Sequence, residues 1–321
     1  TAWVGGTTAS RTRVANRVNQ ASSEDLSIGR DLWQEDAAEA FPGGVAARVR
    51  VGDISLNMLD AGTGEPVLLL HGFPDSLTVW REVAPQLSAA GYRVIAFDQR
   101  GFGDSDAPAG VANYKVAAMV ADITRLLDVL AVRGPVHVMG HDWGAVIAWA
   151  LALAHPQRVR DVVAISVGHP QAYGRAGFEQ KFGKGLYTLG FQLRGLAEAW
   201  FLRNRARGLR NWLASRHPDP EAVVSAMSRP GRLTAGMNWY RANLVDVLFG
   251  AWPRCTVPVL GMWSSGDRYL TEAQMTNSAR LVDAAWEYRR VENCGHWIPL
   301  ECPGAVLDAA RAWFARHPLA E

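Results

Sequence analysis

Between residues 66 and 165 the chain repeats one order: an apolar run too short for a helix, then a longer stretch with apolar residues at three- and four-residue steps. The runs are "PVLLL" from Pro66, "RVIAF" from Arg93, "PVHVM" from Pro135 and "VVAIS" from Val162, and the clearest helical stretch is "AAMVADITRLLDVLAV", residues 117 to 132. Runs that are apolar throughout, rather than alternating, suit strands covered on both sides. Alternation with helical stretches then predicts an α/β fold, a mostly parallel central sheet with helices on both faces.

The rest of the chain falls into place around that repeat. Ahead of it, "ARVRV" and "ISLNML" flank Gly52 and Asp53, the pattern of an antiparallel hairpin. At about Pro170 the alternation stops. From there to Pro253 the sequence is rich in Trp, Phe, Leu and Arg, with helical spacing and no strand signal. "VPVLGMW" and "EYRRV" resume the strand order, closed by the helical "AVLDAARAWFARH". The reading is one core domain, residues 43–169 and 254–321, interrupted by a helical cap, residues 170–253. Ligands of open parallel sheets bind beyond the carboxyl ends of the strands, so an insertion there covers the site. Residues 1–42 read as a polar and then acidic arm, with a short helix expected near "EDLSIGRDLWQEDAAEAF". For the arm two alternatives stand open, a disordered tail and a segment packed on a second subunit in a homodimer.

Composition narrows the function classes. With 321 residues, 49% of them hydrophobic, the chain can bury a large core. A net charge of +2 gives no sign of a nucleic-acid or membrane-surface partner. The three cysteines, Cys255, Cys294 and Cys302, lack metal spacing and read as reduced thiols in a cytoplasmic protein. No apolar run reaches the 18 residues of a membrane span.

The chemistry is written in four segments. In "GHDWG", Gly140, Asp142 and Gly144 fit the G-x-nucleophile-x-G turn from strand to helix. Asp142 also fits an ordinary helix N-cap, and further segments shift the balance. "MWSSGDRYL" puts Asp267, and "NCGHWIPLE" puts His296, in loops after the last two strands. The chain order nucleophile, acid, base is that of α/β-hydrolases. "LLLHGFPDS" follows the first central strand and can aim the Phe73 backbone N–H at the same point as that of Trp143, a two-donor oxyanion hole. His137, His155, His169, His217 and His317 read as structural. The G-x-G within "FDQRGFGDSD" is too weak for a dinucleotide site and lacks the following ribose-binding acid.

Taken together, "HGFPDS", "FDQRGFGDSDAP", "GHDWGA" and "GHWIPLE" resemble an α/β-hydrolase-fold epoxide hydrolase of the branch with an aspartate nucleophile, across about residues 43 to 318. Aspartate suits attack on a saturated carbon. A serine would form an ether there, whereas Asp142 would form an ester that water activated by His296, oriented by Asp267, can cleave. The resemblance also implies two cap tyrosines as the acid pair. One matches Tyr240 in "MNWYRANL" and the other Tyr187 in "LYTLGFQLRG". A neutral tyrosine is protonated at neutral pH and can donate to the opening ring. His71, Pro74, Trp239 and Trp297 are the expected pocket residues. The expected partners are an epoxide and water, with no cofactor and no metal.

Two alternatives remain. A haloalkane dehalogenase resembles this chain in Trp143, whose indole N–H can hold a halide, although Phe73 stands where the second donor is often an Asn. Fluoroacetate-type dehalogenases have an Arg where this chain has Trp143. A non-catalytic ligand sensor on the same fold would not need Asp142, Asp267 and His296 together. From Pro170 to Arg254 there are 13 Lys/Arg and 5 Asp/Glu, a surplus of 13 − 5 = +8. This reads as a solvated face, with recognition of an anionic epoxide as the sharper alternative.

Overall fold

The computed structural model describes residues 26–27, 44–177, 179–214 and 216–318. Within the amino-terminal arm, Leu26–Ser27 forms a two-residue strand, β1, paired antiparallel with Arg48 and Val49. At these two positions the expected helix gives way to an edge strand. The remainder of that expectation lies outside the described residues.

Along β2, Val45–Val51, buried Ala47, Val49 and Val51 alternate with Arg48 and Arg50, and this strand pairs with β3, Ile54–Ala61, across the two-residue loop Gly52–Asp53. Four apolar runs then become β4 (Pro66–Leu70), β5 (Arg93–Phe97), β6 (Val136–His141) and β7 (Val159–Ile165). They are buried almost without interruption, as strands covered on two faces must be. After the helical insertion come β8 (Val259–Ser264) and β9 (Trp286–Val291). The sheet order is β1-β2-β3-β5-β4-β6-β7-β8-β9. The pairs from β5 onward are parallel, and those between β1, β2, β3 and β5 are antiparallel.

Helices α1 (Ala84–Ala89), α2 (Val116–Val129) and α3 (Trp143–Ala154) connect the central strands. Every residue of α3 from Trp143 to Ala152 is buried, because the helix lies along β6 and β7 and also meets α2. Its sequence is accordingly apolar all round rather than amphipathic.

Between β7 and β8 there are helices and no strand among the described residues. They include α4 (Pro170–Arg175), α5 (Tyr187–Gly190), α6 (Leu196–Leu213), α7 (Pro220–Ser228) and α8 (Arg232–Phe249). α6 is broken at Asn204, Arg205 and Ala206, whose φ angles are positive. Specific bonds tie the insertion to the core. Trp239 Nε1 donates to the Arg100 carbonyl at 3.1 Å, and Asn243 accepts from Val116 N at 2.9 Å while donating to the Tyr114 carbonyl at 2.7 Å. Helix α9 (Glu272–Thr276) lies between β8 and β9, and after β9 come α10 (Ile298–Glu301) and α11 (Pro303–Phe314). Among the described residues no helix is long and apolar enough to cross a membrane.

The chain order reverses at β4: β5 lies on one side of it and β6 on the other. Such a switch point leaves a crevice beyond the strand ends. The loops after β4 and β6 carry Phe73 and Asp142.

Candidate active site

Asp142 is the hinge between β6 and α3. Its φ of 55° and ψ of −121° lie in a region that side-chain-bearing residues avoid, and its carboxylate makes no N-cap bond to the helix. The side chain instead projects beyond the sheet, where Oδ1 accepts the Phe73 N–H at 2.8 Å. Close backbone approach makes this possible. A Cβ at Gly72 would lie 2.4 Å from Asp142 Oδ1, and one at Gly144 would lie 2.0 Å from the Leu70 carbonyl oxygen. Gly144→Ala is therefore expected to push α3 off β4 and to destabilise the fold by about 1–3 kcal/mol, as overpacked cores do. Denaturant unfolding checks this, and a midpoint equal to that of the parent would contradict it.

His296 stands opposite. Its Nε2 is 3.6 Å from Asp142 Oδ2, beyond hydrogen-bond length, and its Nδ1 is 2.8 Å from Asp267 Oδ2. Asp267 is held in turn: its Oδ1 accepts the N–H groups of Tyr269 at 2.8 Å and Leu270 at 3.0 Å. Lys184, from the insertion, donates to the carbonyls of Asp267 at 2.6 Å and Leu270 at 2.9 Å. Burial presses the His296 pKa down, but the Asp267 carboxylate, with Asp142 beside it, outweighs that and raises it to about 10. In the resting protein His296 is a cation between two carboxylates.

A second histidine, not singled out by the sequence reading, holds His296 in place. His141 Nε2–H donates to the His296 carbonyl at 2.9 Å, and Ser166 Oγ donates to the same oxygen at 3.2 Å. Burial, with the neighbouring His296 cation, lowers the His141 pKa to about 4, so it is a neutral donor. Its position beside Asp142 in "GHDWG" was the available signal.

Across from Asp142 the insertion closes a narrow cavity of about 40 Å3, walled by Trp143, Val146, Tyr173, Tyr187, Tyr240 and Val247 among others. The Tyr240 ring packs edge-on against the Tyr187 ring, centroids 6.0 Å apart, and against the Trp143 ring at 5.1 Å. Burial, and the negative charge of Asp142, push both the Tyr187 and the Tyr240 pKa well above 10. Both hydroxyls keep their protons at neutral pH. Tyr173, unremarked in the sequence, shares this cavity, and burial raises its pKa to about 12.

A family profile described as the alpha/beta hydrolase fold matches residues 65–303. The chain belongs to the α/β-hydrolase family. This hydrolase is similar to Epoxide hydrolase A of Mycobacterium tuberculosis, at 31% identity over 80% of this chain and 92% of the relative. It is also similar to the AB hydrolase superfamily protein YfhM of Bacillus subtilis, at 33% identity over 80% and 93%. Among solved structures, Epoxide Hydrolase A from Mycobacterium thermoresistibile superposes with a TM-score of 0.74 at 26% identity, covering 86% of this chain and 100% of that one. Epoxide hydrolase VrEH1 from Vigna radiata gives 0.74 at 29% identity, covering 85% and 99%.

The four expected pocket residues of the hydrolase lie outside the cavity wall, each for a specific reason. His71 is fully buried, donating from Nδ1 to the Gly72 carbonyl at 2.9 Å and accepting Gln99 N–H on Nε2 at 2.9 Å. It shapes the loop that carries Phe73. Pro74 faces a separate polar cavity with Asp75 and His217. Trp239 turns to the Arg100 carbonyl, as described above. Trp297 packs on His296 with ring centroids 5.0 Å apart and donates to Asp75 Oδ2 at 2.7 Å. Among the described residues, no Lys or Arg side chain of the insertion lines the cavity. Several are paired elsewhere, Arg241 with Glu198 and Arg229 with Asp104, each at 2.7 Å.

Proposed function

We propose that this hydrolase converts an epoxide to a vicinal diol through an ester on Asp142. The observation that carries the reading is the facing of Asp142, on its strained turn, by the two protonated tyrosines Tyr187 and Tyr240. Oδ1 is anchored on the Phe73 amide, so Oδ2 is the attacking atom. It opens the ring at a saturated carbon, and the departing oxygen takes a proton from the tyrosine pair. Residues 170–253 act as the cap over the core of residues 43–169 and 254–321, bringing those hydroxyls to the strand ends and excluding water from the ring-opening step.

Formation of the ester removes the Asp142 charge, and the His296 pKa falls because one of its two carboxylate partners has gone. The imidazolium then restores the tyrosine proton and becomes a base. Water loses a proton to His296 and adds to the ester carbonyl, whose oxygen is held by the Phe73 and Trp143 amides. Collapse breaks the bond to the diol oxygen, and the products are diol, the Asp142 carboxylate and His296 again as a cation. Epoxide and one water are consumed with no net proton change.

The pH dependence follows. Ester formation needs protonated tyrosines and is expected to be flat across neutral pH. Ester hydrolysis needs neutral His296 and is expected to fall at acid pH with an apparent pKa below the value of about 10 in the resting protein. Stopped-flow fluorescence of Trp143, next to the nucleophile, separates the two phases. A hydrolytic phase that rises only toward pH 10 would contradict the loss of Asp142's influence.

The dehalogenase alternative is weakened by Phe73, which stands where that family often has an Asn as the second halide donor. Three unpaired thiols suit a cytoplasmic location. Product analysis with styrene oxide, a stilbene oxide and a terminal haloalkane tests the assignment, comparing the parent with Asp142→Ala. Diol from the parent alone is expected. Halide release without diol would move the protein to the dehalogenases.

A further inference from the structure

Of the seven large apolar side chains that stay exposed among the described residues, five fall within one short stretch of the insertion. They are Leu186, Leu189, Leu193, Leu196 and Trp200, with exposures from 49% to 69%. They recur at steps of three and four residues, the spacing that keeps side chains of a helical segment on one side. Such a stripe ordinarily faces a core, and here it faces out. The inward places belong to Tyr187, Phe191 and Phe201, whose rings pack edge to face: the Phe191 centroid lies 5.4 Å from that of Tyr187 and 5.8 Å from that of Phe201. Phe191 thereby joins α5 to the first turns of α6, and the exposed leucines of both segments lie outside one aromatic layer.

The unpaired charges around the stripe have one sign. From Gly183 to Asn211 the one acidic residue is Glu198, and Arg241 binds it at 2.7 Å. Two cations of the stretch are committed, Lys184 to the carbonyls of Asp267 and Leu270 and Arg210 to Glu221. Arg194, Arg203, Arg205 and Arg207 are exposed, and among the described residues no carboxylate pairs with them. Arg194 adjoins Leu193, and Arg203 takes the next place in the stripe after Trp200. The net charge of +2 for the whole chain conceals this local surplus.

We propose that the insertion docks on an anionic phospholipid surface through this stripe, with Arg194 and Arg203 on the headgroups. Leucines of an interfacial segment reach the acyl boundary, a tryptophan sits at headgroup level, and cations beside them meet lipid phosphates. A second copy of the chain suits the face less well, because a two-fold contact sets arginine against arginine. Tyr187 and Thr188, which line the cavity at Asp142, stand between Leu186 and Leu189 in sequence, so the docking face is the outer side of that cavity wall. Docking of this kind is independent of the epoxide reading and is measured without turnover.

The test is co-sedimentation with sucrose-loaded vesicles, one set of phosphatidylcholine alone and one of phosphatidylcholine and phosphatidylglycerol in equal parts. The parent is expected to sediment with the anionic set and not with the neutral one, and to be released as salt is raised. Arg194→Gln/Arg203→Gln should weaken binding by about 25-fold, about fivefold for each charge removed from the surface. Leu193→Glu/Leu196→Glu should abolish it. All four side chains are exposed, so both variants should unfold at the temperature of the parent, which shows that they are folded. Binding of the parent to neither set, or equally to both, or binding unchanged in both variants, would overturn the assignment. So would a parent that is dimeric in solution and becomes monomeric in Leu193→Glu/Leu196→Glu, which would give the face to a second copy.

Discussion

His296→Gln reacts once with an epoxide and stops. Asp142, Phe73 and the tyrosine pair are untouched in this variant, so the ester still forms. Glutamine cannot take a proton from water, so the ester persists and turnover is expected to fall by about 10⁶-fold, the scale seen when the histidine base of a triad is lost. Intact-mass measurement after incubation should show the protein heavier by one substrate, with the added mass on the peptide that contains Asp142. Lost turnover with an unmodified mass would contradict a two-step reaction. Removing His296 also removes a cation that faces Asp142, so ester formation itself should slow to a smaller degree.

Replacing both cap tyrosines gives the second large effect. In Tyr187→Phe/Tyr240→Phe the opening ring loses both tyrosine hydroxyls that face Asp142, and loss of general acid assistance is expected to cost about 10²- to 10⁴-fold in ring opening. Each single variant should lose less, because the remaining hydroxyl keeps its proton at neutral pH. Rapid-quench measurement of ester formation isolates this step from hydrolysis. A double variant that forms the ester at the parent rate would show that the proton comes from elsewhere, with Tyr173 the next residue to replace.

The fold was legible because burial on two faces leaves a mark in sequence. "PVLLL", "RVIAF" and "PVHVM" are apolar without alternation, and they are the strands at the centre of the sheet. "ARVRV" alternates, and it belongs to the antiparallel side. Asp142, Asp267 and His296 were placed after three different strands, and the sheet order brings those strand ends to one side of the molecule.

Contacts between distant segments were less visible. The place of His141 beside Asp142 marks it as near the site, but its partner is a carbonyl 155 positions away, which the motif does not name. His71 and Trp239 look like pocket residues because they sit in the right segments, yet each has a backbone partner that turns it inward. The paired Asp75 and His217, 3.0 Å apart and buried between the core loop and the insertion, were likewise unreadable, since His217 alone looks like any structural histidine. The break in α6 falls at Asn204, Arg205 and Ala206, where only the asparagine is a residue type that tolerates positive φ readily. The cavity wall depends on how the insertion settles on the core, and sequence periodicity within either part does not report that.

A single turnover in water enriched in oxygen-18, with enzyme in excess over epoxide, separates the ester route from direct attack by water. If Asp142 is the nucleophile, the first diol carries an unlabelled oxygen from the carboxylate and the label appears on the Asp142 peptide. Label in the first diol, with none on Asp142, would show that water attacks the ring directly and that no ester forms.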